Sequence, residues 1–323
     1  MTVRLVIKKL IDAIVLLSMV LVFNFFLFRV VDRDPLTRYR GRSKLSPEQR
    51  TAIIKRFGLD GSKWDQFVRY IERTLHGDFG RSFDTTRPVA SEILDRLPNT
   101  LLLVGISTVL TIAIGIWMGI RAGWQRGGRF DSIATPISMA LYGTPEFFLG
   151  MLFLAFLGAK FGWFPTGGVL DPSGHYTGFS AIVDRARHLV LPVATLTLGY
   201  LGSYSLVMRT SMLDTLREDY LTTARAKGLR DRDVMRRHAV PNALLPSVSL
   251  IAIGFGFIIG GAITTETVFS YPGLGLATYE AIGNTDLPMM QALFMFSSVA
   301  VIAFNIFADV VLTFLDPRIR VGG

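Results

Sequence analysis

Four histidines, His76, His175, His188 and His238, are the chain's most versatile chemical groups, and they are scattered. None falls in an H-E-x-x-H helix or another ligand spacing. The absence of cysteine removes thiolate metal sites, disulfides and Cys nucleophiles. No G-x-x-x-x-G-K-[ST] run is available to cradle phosphates, and no G-x-S-x-G elbow to raise a nucleophile. The run Gly254-Phe255-Gly256-Phe257-Ile258-Ile259-Gly260 approaches a dinucleotide fingerprint, but its spacing does not fit and it lies in an apolar stretch, where packing is the better account. Asp12, Asn24, Glu146, Glu266, Asn305 and Asp309 lie in or beside apolar stretches and are functional candidates on that ground. Asp12, Glu146 and Glu266 fall near the ends of those stretches. Asn305 and Asp309 share a helix face and are expected to bind a neighbouring helix. No acid–base pair, nucleophile, metal set or cofactor site emerges, so the chain is not expected to be an enzyme.

The segment organised for contact rather than catalysis is 209–240, RTSMLDTLREDYLTTARAKGLRDRDVMRRHAV, followed by PNALLP. Leu213, Leu216, Tyr220, Leu221 and Ala224 recur at helical spacing. Gly228 can take the left-handed conformation that ends a helix. Asp231 or Asp233 could cap a second short helix, which Pro241 should stop. The product is a helix, a sharp turn and another helix. Ala224, Ala226 and Gly228 form a small surface, surrounded by Arg225, Lys227, Arg230, Arg232, Arg236 and Arg237. Composition fits a docking loop and a basic loop touching lipid headgroups equally well.

The elements that must position this segment are apolar blocks. Half of the 323 residues are hydrophobic and only 18 % are charged. The apolar residues come in runs of about 20, the length a helix needs to cross a bilayer. Spans are expected at 10–31, 99–121, 133–158 (interrupted by Gly143-Thr144-Pro145), 189–208, 243–265 and 289–314. The first follows Arg4, Lys8 and Lys9 and has no small-residue cleavage site, so it reads as an uncleaved span. Gly115, Gly119 and Gly123, and likewise Gly256 and Gly260, repeat at the four-residue spacing of close helix packing.

Charge sets the orientation. Basic residues crowd the N-tail, the Arg121–Arg129 loop, the 209–240 segment and the C-tail. The two short loops on the other side hold Lys160, Arg185 and Arg187. The positive-inside rule places both termini in the cytosol, and it accounts for the formal charge of +9 without nucleic acid as a partner. The long 32–98 segment is then extracytoplasmic. Ser46, Pro47 and Gln49 suit a capped helix start and Gly58 a stop; a second helix with Trp64, Phe67, Val68 and Ile71 follows, its aromatics expected in the insertion's own core. The fold class is an all-α integral membrane protein with about six transmembrane helices and a small helical extracytoplasmic insertion after the first. Residues 1–31 are the N-tail and first span, 32–98 the insertion, 99–314 the five-helix core with its 209–240 loop, and 315–323 the C-tail.

The 209–240 segment resembles the cytosolic loop of binding-protein-dependent ABC importer permeases: E-A-A, three residues, Gly, nine residues, then I-x-L-P. Here Thr222-Thr223-Ala224, Gly228 and His238-Ala239-Val240-Pro241 stand at matching spacing. Thr222 replaces the acidic residue, and His238 and Val240 replace Ile and Leu. Thr223 to Leu229 reads T-A-R-A-K-G-L, as is usual in the dipeptide/oligopeptide/nickel branch. Gly77-Asp78-Phe79-Gly80-Arg81-Ser82, Pro88-Val89 and Arg96-Leu97-Pro98-Asn99-Thr100-Leu101 are similar to that family's approach to span two. Pro145 to Gly150 is similar to its span three, Glu266 to Gly275 to its loop after span five, and Asp316-Pro317-Arg318 to its C-terminus. At Asp32-Arg33-Asp34-Pro35 the chain departs from the family, which often has glycine in place of Arg33.

The resemblance implies a permease subunit of an ABC importer, moving peptides or a related small solute inward across the bacterial inner membrane by alternating access. It implies as partners a second, homologous permease in a heterodimer, two ATPase subunits that hydrolyse the ATP, and an extracytoplasmic solute-binding protein. Docking on the ATPase falls to Tyr220, Leu221, Thr222, Thr223, Ala224, Arg225, Ala226, Lys227, Gly228 and Leu229. The competing class is a secondary transporter driven by an ion gradient, against which the lack of a proton relay counts.

Overall fold

The computed structural model describes residues 3–31, 60–174, 176–257 and 263–315. Several expectations lie outside them: the Ser46 cap and Gly58 stop, the Asp32–Pro35 turn, Gly260 and the Asp316–Arg318 tail, together with the side chain of Asp309. Among the described residues there is no strand, only one antiparallel bridge between Arg81 and Pro88.

The first span is α1 (Val3–Phe25), prolonged by a π-helical turn over Phe26–Val31. Most of its apolar side chains, Ile11, Ile14, Leu16, Met19 and Val22 among them, are exposed, as befits a helix solvated by lipid. Its buried Asn24 ties it to the rest: Nδ2 donates to the Tyr70 hydroxyl at 3.1 Å and to the Gln291 carbonyl at 3.0 Å. Tyr70 lies on α2 (Lys63–Leu75), which Ser62 and Asp65 start with a reciprocal capping box. Among the described residues the aromatics of α2 meet the first span, and the insertion's own core, expected to include 46–58, lies outside the described residues. Phe67 stacks edge-on against Phe25 of α1 at 5.1 Å, and Trp64 stays 70 % exposed.

Next come α3 (Val89–Trp124), α4 (Arg129–Gly143), α5 (Glu146–Phe153, continued by a π-helical stretch to Lys160) and α6 (Phe179–Thr215). The second and fourth spans are much longer than expected and run straight through Pro98 and Pro192. Tertiary contacts outweigh the prolines. Val89 and Ile93, in the added turns of α3, are buried with Leu274, Ala277, Met289 and Leu293. In the added turns of α6, Asp184 accepts the Asp171 amide at 2.8 Å. The third span is broken where Gly143-Thr144-Pro145 predicts, and α4 and α5 meet at 99°.

After the 216–239 region come α9 (Val240–Phe257), α10 (Ile263–Val268), α11 (Leu274–Gly283) and α12 (Leu287–Leu315). α11 is a short helix within the expected loop. Among the described residues α1, α3, α6 and α12 are long and apolar enough to cross a membrane, and the bent α4–α5 pair makes a fifth. The apolar α9 runs up to residues 258–262, outside the description.

α3 and α6 form the densest pairing. Gly115, Gly119 and Gly123 of α3 lie against Tyr204, Met208 and Met212 of α6, so the four-residue glycine spacing is a helix seam.

Candidate docking segment and its supports

α6 ends at Thr215, and Leu216–Glu218 turn the chain into α7 (Asp219–Ala226). Gly228 follows at φ +78° and reverses the path. α8 (Asp231–Val234) then passes through a π-helical turn, Met235–Ala239, directly into α9. No acidic side chain caps α8, whose cap residue is Arg230; Asp231 lies inside its first turn. Pro241 does not stop the chain's helical course either. It is the second residue of α9, and the helical course continues through it from the π-helical turn Met235–Ala239.

The ten residues expected to dock divide by face. Leu221 is fully buried and Ala224 nearly so, three positions apart on one side of α7, against Met208, Met212, Val234, Ala239 and Ala243. Tyr220, Thr222, Thr223, Arg225, Ala226, Lys227, Gly228 and Leu229 are exposed. Ala224 therefore belongs to the anchor, and the small outward surface reduces to Ala226 and Gly228. Arg225 fixes the turn from outside: it pairs with Asp231 at 3.5 Å and lies over the Trp124 ring at 5.9 Å.

The platform beneath is held by Asp131 and Arg209, at the same end of α4 and α6. Nε and a terminal nitrogen of Arg209 donate to the two Asp131 oxygens at 2.6 and 2.9 Å. The buried carboxylate also accepts the Gly127 amide and the Thr135 hydroxyl, so its charge is fully engaged. Sequence reading missed this pair, because Asp131 and Arg209 are far apart in the chain.

At the other end, two sequence motifs meet. Glu266, fully buried, accepts the Thr100 hydroxyl at 2.8 Å and the Leu276 amide at 3.0 Å. The same Thr100 oxygen accepts the Leu274 amide at 2.7 Å, and Asn99 donates to the Pro272 carbonyl at 2.9 Å. A side chain at Gly273 would run into both Glu266 and Thr100. Asn99-Thr100 and Glu266 to Gly275 are thus one knot. Nearby, buried Asp286 accepts the Ser82 hydroxyl and the Phe83 and Asp84 amides, fastening the turn before α3 onto the start of α12.

Of the remaining polar candidates, Glu146 joins helices: it accepts hydroxyls from Thr264 (3.2 Å) and Thr265 of α10. Among the described residues Asn305 has no bond to a neighbouring helix. It is exposed and donates to Val301 one turn back in its own helix, a bond available locally at no loss of packing. Asp12 is exposed. Asn24, Asp131, Glu146, Glu266 and Asp286, all buried or half-buried, thus join elements of the bundle to one another.

Comparison with known proteins gives a consistent answer. Residues 111–321 match the family described as binding-protein-dependent transport system inner membrane component, and residues 2–104 match the N-terminal family of the same membrane component. The oligopeptide transport system permease protein AppB of Bacillus subtilis (strain 168) is 32 % identical over 316 residues, covering 98 % of both chains. The dipeptide transport system permease protein DppB of Escherichia coli (strain K12) is 33 % identical over 314 residues, covering 92 % of this chain and 93 % of its own. The fold is similar to that of a chain in the inward-facing MetNI methionine ABC transporter, with a TM-score of 0.55 and 17 % identity over 70 % of this chain and 96 % of that one. The chain is a multi-pass membrane protein and belongs to the family of binding-protein-dependent transport system inner membrane components.

Proposed function

We propose that this chain is the permease subunit of an ABC importer for peptides or a closely related small solute, and that the exposed face of α7 with the Gly228 turn docks on a separate ATPase. The observation that carries the reading is the division of α7 into two faces. Leu221 and Ala224 bind it to α6 and α9, while Thr222, Thr223, Lys227 and Leu229 lie on its exposed face. A helix anchored on one side and exposed on the other transmits a push from a partner into the spans it rests on. The names of the curated relatives support peptides as cargo. A binding protein delivers the solute from outside, a second homologous permease completes the pathway, and two ATPases close on the cytosolic side, where both termini lie. Residues 32–98 form the extracytoplasmic insertion.

Gly228→Val tests this. At φ +78° a β-branched residue is strained although no atom lies within 4 Å of a would-be Cβ, so the damage is confined to the turn. The variant should insert and fold, yet lose substrate-stimulated ATP hydrolysis and uptake in reconstituted vesicles containing the partner subunits. Full activity in that variant overturns the docking assignment. Uptake that needs an ion gradient and proceeds without ATP overturns the importer reading itself.

A further inference from the structure

A cleft of about 610 Å³ opens between α3 and α4 at the end of the bundle that carries α7. Its walls are amphipathic in a definite order. Arg121 and Arg129 stand at its polar end, on either side of the turn that joins the two helices, and Ile133 and Ile137 continue from Arg129 along α4. The eight helical steps from Arg129 to Ile137 rise about 12 Å, enough to run from the headgroup layer well into hydrocarbon. Trp117 and Phe130 form the middle of the wall, edge-to-face at 5.6 Å. The Arg121 guanidinium lies over both rings, 5.0 Å from Phe130 and 5.9 Å from Trp117, which fixes its direction without neutralising it. Among the described residues neither Arg121 nor Arg129 has a carboxylate partner, and no acidic residue lines the cleft. The one acid close by in sequence, Asp131, is turned inward and consumed by Arg209.

We infer that this cleft is a binding site for an anionic phospholipid, its phosphate held by Arg121 and Arg129 and one acyl chain lying along Ile133 and Ile137. Two uncompensated guanidinium groups above an apolar, aromatic-walled slot complement a ligand with a negative head and a hydrocarbon tail. A zwitterionic lipid would leave one charge of its headgroup facing two cations. The bound lipid would brace the α3–α4 turn, from which Gly127 supports Asp131 and hence the platform under α7. The inference rests on the membrane reading and is independent of the transported solute.

The test is native mass spectrometry of the chain purified in mild detergent with the subunits that accompany it, after addition of phosphatidylglycerol or phosphatidylcholine. Phosphatidylglycerol should be retained in preference. In Arg121→Gln/Arg129→Gln its binding should be roughly twenty-five-fold weaker, since each removed arginine is worth about fivefold at an anionic surface. Both arginines are exposed, so the variant is expected to fold. A photo-crosslinker at Ile133, 62 % exposed, should capture lipid. Equal retention of both lipids, unchanged retention in the double variant, or a crosslink to another polypeptide would each overturn the site. Whether ATPase subunits accompany the chain is read in the same spectra, so the lipid site and the importer reading can fail separately.

Discussion

Gly119 of α3 faces Met208 of α6 so closely that a Cβ on the glycine would lie 2.6 Å from the methionine Cβ and 2.6 Å from the Ser205 carbonyl. Backbone cannot withdraw as a flexible side chain can. Gly119→Val should therefore force α3 and α6 apart and destabilise the protein by about 3 kcal/mol or more. Gly105→Ala, on the same helix with nothing within 4 Å, should be neutral or slightly stabilising. Thermal unfolding of the two variants in detergent checks the contrast.

Arg209→Ala leaves the Asp131 carboxylate buried with only neutral donors. The expected loss is about 3–5 kcal/mol, and Arg209→Lys should recover only part of it because an ammonium cannot bond both oxygens as the guanidinium does. A double-mutant cycle with Asp131→Asn should show strong coupling; additive effects would mean the two residues act separately.

Thr100→Val removes the hydroxyl that donates to Glu266 and accepts from Leu274. Both partners remain buried, so a loss of about 1–3 kcal/mol follows. Hydrogen exchange should rise at the Leu274 and Leu276 amides and stay unchanged in α7, at the opposite end of the bundle.

Leu221→Ala empties a fully buried position beneath α7 and should loosen that helix, with a loss of about 2–5 kcal/mol in the local packing. Thr222→Ala, on the exposed face, should leave stability unchanged and weaken ATPase association in a pull-down. The reverse pattern would mean that the docking face is assigned to the wrong side.

The Ser62 hydroxyl and backbone amide hold the Asp65 carboxyl below the usual carboxylate range. A lowered folded value means that the cap's contribution is complete above about pH 3.9 and is lost as acid protonates Asp65 below it. Fluorescence of Trp64, on the first turn of α2, should report this fraying. Ser62→Ala should abolish the pH dependence.

The helix and glycine turn within 209–240 were legible because their signals are local. A helical spacing, a glycine at the turn and a fixed distance to Pro241 all lie within one stretch of chain, and Gly228 indeed takes positive φ. The break at Gly143-Thr144-Pro145 was legible for the same reason. What sequence reading missed depends on partners far along the chain. The extra turns of α3 exist because Val89 and Ile93 meet α11 and α12, and the Asp131–Arg209 pair exists because α4 and α6 pack. Periodicity does reveal that Leu221 and Ala224 share a face of α7, but only the packed structure shows that this face is the inner one.

The glycine seam between α3 and α6 also limits where the molecule can bend. Close approaches at Gly115, Gly119 and Gly123, where a Cβ would meet the facing helix, oppose sliding of α3 on α6 and make residues 115–123 the stiff part of the pair. Any hinge that opens one side of the membrane and shuts the other must then lie outside it. The 99° corner at Thr144–Pro145, where the helical hydrogen-bond ladder is already interrupted, is the place among the described residues best suited to flex.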